Sequence, residues 1–121
     1  MAKHLPPIRQ GDDYKLRVQL PAGTNISGVR FFLTLKNSFD DDDNSAVLQH
    51  TQTAGVNPED DALNGLCLFT VVAAITAQIP AGAYFYDFQM VTTTGEVRTL
   101  APPIEEYKVK LSVIPQVTRA I

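Results

Sequence analysis

Apolar and polar residues alternate through much of this chain, and the alternation predicts β-strands. The longest example covers residues 83–91, where large apolar side chains occupy every second position: Tyr84, Tyr86, Phe88 and Met90. Residues two apart in a strand point to the same face, so this spacing predicts a strand with one core-facing side. A turn at residues 92–95 and a returning segment at 96–100 complete a predicted β-hairpin.

The same period of two recurs elsewhere in the chain. The strands that it predicts most clearly are 14–20, 29–36 and 107–113. A further strand is predicted at 45–52, although that segment is mostly polar. Residues 65–72 are apolar on both faces, which is typical of a central strand covered on both sides. A single helical or 3₁₀ turn is expected at 73–78, just before Pro80.

About seven short strands separated by turn residues, with no sustained helical period, predict an all-β protein. We expect a single immunoglobulin-like antiparallel β-sandwich domain over residues 1–121, and a small closed barrel is the alternative. Residues 1–10 contain two consecutive prolines, which predict an extended N-terminal arm or an edge strand. Residues 115–121 are interpreted as a C-terminal tail. Two prolines at 102–103 should interrupt the strand pattern.

Tyr84 has two possible roles in this fold. The sequence Gly82-Ala83-Tyr84 at the start of a late strand resembles the tyrosine corner of immunoglobulin-like domains, where the hydroxyl bonds to backbone upstream. The alternative is that Tyr84 is simply an aromatic residue of the core.

Composition and charge argue against nucleic-acid binding and against a membrane span. The formal net charge of −3 in 121 residues argues against a general nucleic-acid binder, which would carry a basic patch. The longest apolar run, 71–75, is far too short for a membrane span, and the start has no signal-peptide pattern. We therefore expect no nucleic-acid or membrane partner and synthesis in a cytoplasm. The single cysteine, Cys67, alternates with Phe69 and is interpreted as a core thiol.

No known catalytic pattern is present among the reactive side chains. His4 and His50 have no partner at metal-ligand spacing, and no serine lies in an activating Gly-x-Ser-x-Gly context. The pair Glu105-Glu106 stands beside a proline-marked turn, where acids are commonly just exposed. We expect no catalytic residue, no cofactor and no enzymatic activity.

The four consecutive aspartates at residues 40–43 could bind a hard cation. Asp40, Asp42 and Asn44 alternate as in the first half of a calcium loop. However, Ser45 stands where the loop requires glycine and Thr51 where it requires a bidentate acid. A solvated acidic loop is therefore favoured over a cation site.

Four apolar side chains fall at positions that should be polar if one sheet surface were solvated. These interaction candidates are Phe32, Phe39, Phe85 and Val91. Exposed apolar groups of this kind indicate a contact surface. Either a neighbouring subunit covers them, or the arm and the tail of the same chain fold over them.

An ordered set of segments resembles small immunoglobulin-like proteins of tailed bacteriophages and prophages, of the baseplate or tail-accessory kind. The segments are GDDY at 11–14, ISGV at 26–29, KNSFDDDDNSAVLQ at 36–49, IPAGAYFYD at 79–87, TGEVRTL at 94–100 and VTR at 117–119. The chain departs from the pattern at residues 101–103, where a glycine is expected in the final hairpin.

The resemblance implies a non-enzymatic virion structural protein, made in the host bacterial cytoplasm. It would act in tail, baseplate or capsid assembly through subunit contacts, with other virion proteins and further copies of itself as partners. A rigid sandwich would present loops and edge strands, while the arm and the tail reach adjacent subunits. The alternative is a ligand-binding sandwich for carbohydrate or a cell-surface receptor, with Phe32, Phe39 and Tyr107 as the aromatic candidates.

Overall fold

A computed structural model describes residues 5–21, 23–40, 42–106 and 108–115. In these ranges the chain forms short strands joined by turns and by one single-turn helix. The strands are β1 (Ile8–Arg9), β2 (Tyr14–Gln19), β3 (Arg30–Lys36), β4 (Leu48–Thr53), β5 (Leu66–Val71), β6 (Gly82–Val91), β7 (Val97–Ala101) and β8 (Lys110–Ile114). The helix is α1 (Ala73–Thr76), and 3₁₀ turns lie at Asp43–Ser45, Ala62–Asn64 and Ile104–Glu106.

The strands form two sheets. Six strands make a larger sheet in the order β1-β8-β6-β3-β4, with β7 also paired to β6, and β2 pairs with β5 in a smaller one. The pairs are antiparallel except for β1 and β8, which run parallel. These two sheets confirm the predicted all-β sandwich.

Strand β6 organises the larger sheet because it is long enough to pair with three others. Along one edge it pairs with β3 from Arg30 to Lys36. Along the other edge its first half pairs with β8 and its second half with β7. Prolines 102 and 103 separate β7 from β8, as predicted, and the Ala101–Pro102 bond is cis. The antiparallel pairing of β6 with β7 confirms the predicted hairpin of strand 83–91, turn 92–95 and returning segment 96–100.

The core lies between the inner faces of the two sheets. Most of the alternating residues predicted to point inward are buried: Tyr14, Leu16, Val18, Val29, Phe31, Leu33, Leu35, Tyr84, Tyr86, Phe88, Met90, Leu111 and Val113. Leu20 and Val109, predicted likewise, are only half-buried, and Tyr107 lies outside the described residues. Phe69 of β5 joins the sheets, since its ring packs edge-on against Phe88 with the centroids 5.0 Å apart. Phe88 in turn stacks on Phe31 at 5.9 Å. Burying each such side chain contributes about 1.5–3 kcal/mol.

Three strand predictions need correction. The strand predicted at 107–113 is β8, which begins at Lys110 and ends at Ile114. Strand β4 begins at Leu48, not at Ser45. Strand β5 was expected to be central, but within the described ranges its ladder partner is β2. Its outward residues Leu66 and Leu68 are only half-buried, and they lie opposite Gln19 and Arg17 in the ladder. Long polar side chains cover apolar neighbours with their stems, which allows an apolar outer face without a further layer.

The described part of the N-terminal arm packs on its own domain as an edge strand. Ile8 is fully buried beside β8. The Tyr14 hydroxyl donates a hydrogen bond to the Pro6 carbonyl at 2.6 Å, and the Leu5 amide donates to the Tyr86 hydroxyl at 3.3 Å. Residues 5–10 are therefore engaged within the sandwich, whereas 1–4, Tyr107 and the tail residues 116–121 lie outside the described residues.

Tyr84 forms the tyrosine corner. Its ring is 5% exposed, and its hydroxyl donates a hydrogen bond to the Pro80 carbonyl at 2.5 Å. The bond joins the start of β6 to the loop that follows α1, as the tyrosine corner of the sequence pattern predicts.

Candidate interaction surface

The six-stranded sheet has one face turned away from the smaller sheet, which we call the outer face. Residues that alternate with the core residues of β3 and β6 form its centre: Arg30, Phe32, Thr34, Lys36, Phe85, Asp87, Gln89 and Val91. The ladder places Phe32 opposite Gln89, and Lys36 opposite Phe85. The outer face therefore mixes apolar, amide and charged groups.

All four predicted interaction residues lie on or beside the outer face. Phe32 and Val91 lie towards one end, where exposed Val97 of β7 pairs with Val91. Phe85 lies at the other end, and Phe39, 43% exposed, follows β3 and packs edge-on against the Phe85 ring at 5.8 Å. The structure thus places these side chains on one face in two groups, one at each end. Sequence reasoning missed Val97, although its alternation within the returning strand was visible.

Cationic side chains stand over the aromatic rings of this surface. Lys110 Nζ lies 4.7 Å from the centroid of the Phe85 ring. Lys108 Nζ lies 5.1 Å from the centroid of the Phe39 ring. At the opposite end, the Arg30 guanidinium carbon lies 5.6 Å from the centroid of the Phe32 ring. Each such contact is worth about 0.5–1 kcal/mol at an exposed site. Sequence reasoning missed these contacts. The contact of Lys110 with Phe85 could not be predicted locally, because only the pairing of β8 with β6 places the two residues side by side.

A shallow hollow of about 300 Å³ opens on the outer face. Its lining includes three apolar side chains and a larger polar set: Phe32, Val91 and Val97, with Thr34, Lys36, Gln49, Asp87 and Gln89. The side-chain amide of Gln89 donates a hydrogen bond to the Thr99 hydroxyl at 3.3 Å, and the side-chain amide of Gln49 donates one to the Thr34 hydroxyl at 3.5 Å. The hollow therefore presents several hydrogen-bonding groups beside one aromatic ring.

The acidic segments lie in loops. Asp40, Asp42 and Asn44 are exposed between β3 and β4. In the second acidic segment, the Asp60 carboxylate accepts hydrogen bonds from the backbone amides of Gly55 and Leu68. Within the described ranges, no group of three or more His, Cys, Asp or Glu side chains is placed to hold a metal ion.

The remaining reactive side chains are either buried in the core, bonded to backbone or exposed to solvent. Cys67 is fully buried, and burial, with a smaller contribution from nearby Asp60, raises the pKa of its thiol to about 12. The thiol is therefore protonated at neutral pH, as expected for a core residue. His50 Nε2 lies 3.0 Å from the Thr70 carbonyl oxygen. Glu105 and Glu106 are exposed, and His4 lies outside the described residues.

Comparisons with protein-family models, with curated proteins and with solved structures found no match to this chain. The relation to phage proteins therefore rests on the sequence resemblance alone. In the part of the chain that the structure describes, no helix combines the length and the apolar character required to cross a bilayer.

Proposed function

We propose that this chain is a non-enzymatic structural protein of a bacteriophage or prophage virion, acting in tail, baseplate or capsid assembly through contacts of its outer face. The virion context comes from the ordered sequence segments that resemble phage immunoglobulin-like proteins. The observation that carries the contact role is that Phe32, Phe39, Phe85 and Val91 lie on or beside one sheet face, with an apolar group at each end of it.

The chemistry of this face suits a protein contact. Interfaces concentrate binding energy in a few aromatic and arginine side chains, surrounded by polar residues that exclude water. Phe39 and Phe85 form such an aromatic pair, with Lys108 and Lys110 at its rim. The cations also favour a partner surface that offers carboxylates as well as apolar groups.

Substitution of Phe85 by Asp tests the contact role. Phe85 is half-buried on the outer face, so the change removes an aromatic anchor and places a carboxylate in the contact. We expect association between copies, or with a virion partner, to weaken by at least about 2 kcal/mol, or about 30-fold. Size-exclusion chromatography with light scattering measures self-association, and calorimetric titration measures binding to purified neighbours encoded beside this gene.

Ala74→Asp is the matched control, because it adds the same charge at an exposed position of α1, away from the outer face. It should associate like the wild type. A wild-type chain that stays monomeric at high concentration and binds none of those neighbours would contradict the proposal. So would a folded Phe85→Asp variant with unchanged association. Adjacent head, tail or tape-measure genes would support the virion context, and a metabolic operon would argue against it.

The hollow favours carbohydrate binding as a second candidate function. Saccharides are bound through hydrogen bonds to amides, hydroxyls and carboxylates beside an aromatic ring, and the hollow offers Gln49, Gln89 and Asp87 near Phe32. A glycan array followed by calorimetry tests this candidate. Binding that Gln89→Ala abolishes, and that Ala74→Asp preserves, would favour it over the contact role. No binding across the array would remove it.

A further inference from the structure

Strand β5 has one edge paired with β2, and its other edge faces β4. On this second edge, side chains bond to the backbone groups of Leu68 and Thr70. The Leu68 amide donates to Asp60 Oδ1 at 2.8 Å, and the Leu68 carbonyl accepts from Gln52 Nε2 at 2.7 Å. The Thr70 amide donates to Gln52 Oε1 at 2.9 Å, and the Thr70 carbonyl lies 3.0 Å from His50 Nε2.

The carboxamide of Gln52 takes the place of a peptide group from a neighbouring strand. To the Leu68 carbonyl and the Thr70 amide, a paired strand would offer one donor and one acceptor. Gln52 supplies both, with its oxygen bound to Thr70 and its nitrogen to Leu68. Because a carbonyl oxygen can only accept, the contact of His50 with Thr70 requires a proton on Nε2.

The same edge continues into backbone bonds at Leu66. The Leu66 amide donates to the Asp61 carbonyl at 2.9 Å, and the Asp61 amide donates to the Leu66 carbonyl at 3.0 Å. His50 and Gln52 come from β4 in the larger sheet, and the His50 ring also packs edge-on against Phe69 at 5.5 Å. This side of the sandwich is therefore closed by side chains that cross from one sheet to the other.

We infer that Asp60, Gln52 and His50 form a side-chain seal that prevents the β5 edge from accepting a strand of another copy of this chain. An unpaired strand edge is a template for edge-to-edge association, and proteins block such edges in several ways. An incoming strand needs the amide and carbonyl groups of Leu68 and Thr70, which are already bonded here. The inference is independent of the proposed contact role of the outer face.

The substitution Gln52→Leu tests the seal, because leucine keeps a comparable bulk but offers no hydrogen bond. Amide hydrogen exchange followed by NMR should show the Thr70 amide exchanging at least about tenfold faster than in the wild type. The Leu68 amide, whose acceptor is Asp60, should keep its wild-type rate at low concentration. The association constant from light scattering should rise at least about tenfold, and exchange at both amides should slow as copies associate.

Ala74→Ser is the control, since Ala74 is exposed on α1 and belongs neither to the β5 edge nor to the outer face. It should match the wild type in both measurements. Gln52→Glu is the second variant. The glutamate carboxylate can still accept a hydrogen bond from the Thr70 amide, but it has no donor for the Leu68 carbonyl. The Thr70 amide should therefore exchange as slowly as in the wild type, while the variant self-associates more strongly than the wild type. If Gln52→Leu does not fold, Gln52→Glu decides the outcome.

Folded variants at Gln52 that self-associate no more than the wild type would overturn the proposal. So would an unchanged Thr70 exchange rate in folded Gln52→Leu. Combining Gln52→Leu with Phe85→Asp separates the two proposals, because association through β5 persists when the outer face is disrupted, whereas association through the outer face does not.

Discussion

Removing the Tyr84 hydroxyl tests what the tyrosine corner contributes to stability. In Tyr84→Phe the ring stays in place, and the bond from the hydroxyl to the Pro80 carbonyl is lost. The ring is 5% exposed, so its packing supports the position of the side chain in both proteins. The change in the free energy of unfolding therefore reports the hydrogen bond rather than a cavity.

The expected loss follows from the surroundings of the two atoms. A typical intramolecular hydrogen bond contributes about 0.5–1.5 kcal/mol net, and a buried group left without a partner costs about 1–3 kcal/mol. Pro80 is exposed, so water can reach its carbonyl once the hydroxyl is gone. We therefore expect a loss of about 1 kcal/mol, which corresponds to a fall of about 3–6 °C in Tm for a domain of this size.

Tyr86→Phe is the matched comparison, because the Tyr86 hydroxyl accepts a longer bond, 3.3 Å, from the Leu5 amide. Its loss should cost about 0.5 kcal/mol or less. Urea unfolding followed by circular dichroism measures both variants, and equal m-values would show that the unfolded states are comparable. A Tyr84→Phe variant as stable as the wild type, or less affected than Tyr86→Phe, would refute the assignment of Tyr84 as a stabilising corner.

Three further predictions use the same unfolding assay. Because burial raises the pKa of Cys67 to about 12, stability is full below about pH 8.5 and falls above it by up to about 1.4 kcal/mol per pH unit; Cys67→Ala should remove this slope between about pH 8.5 and 10, before Tyr14 and Tyr86, whose pKa values burial also raises, add their own, and an unchanged slope in that window would contradict the cause. Ile8→Ala should cost about 2–4 kcal/mol because Ile8 is fully buried, whereas exposed Leu63→Ala should change stability by less than about 0.5; equal effects would show that β1 adds nothing. Gly23 and Gly65 both have positive φ, but a Cβ at Gly65 would lie 3.0 Å from the Leu20 carbonyl oxygen, whereas a Cβ at Gly23 would meet nothing. Gly23→Ala should lower the free energy of unfolding by roughly 1–2 kcal/mol, and Gly65→Ala should lower it clearly more. The reverse order would refute the clash.

The sequence predicted strands best where every second side chain is large and apolar. Along β2, β3 and β6, a shift of the strand register by one residue would turn every core side chain towards the solvent, so the pattern is compatible with one register only. Strand β4 was placed less well because His50 and Gln52 point inward as polar residues. Their partners, Thr70 and Leu68, lie far away in the sequence, and nothing in the local pattern shows this pairing.

The candidate surface was predictable in part for the same reason. Phe32, Phe85 and Val91 stand out because they are apolar where alternation calls for polar residues. Their grouping, and the cations over the rings, depend on sheet register. Lys110 lies opposite Phe85 only because β8 pairs with the first half of β6. Such neighbours are set by tertiary structure, which the local pattern does not encode.

The parallel pairing of β1 with β8 gives the sandwich a mechanical property. Ile8 lies beside Val113 and Arg9 beside Ile114, and the Gln10 amide adds a bond to the Ile114 carbonyl at 2.9 Å. A pull transmitted through the chain before Leu5 and after Pro115 would draw these parallel strands past each other. The bonds would then bear the load together, in shear, rather than opening one after another. Tension along the chain would therefore meet its resistance at this pair before it reached the other strands.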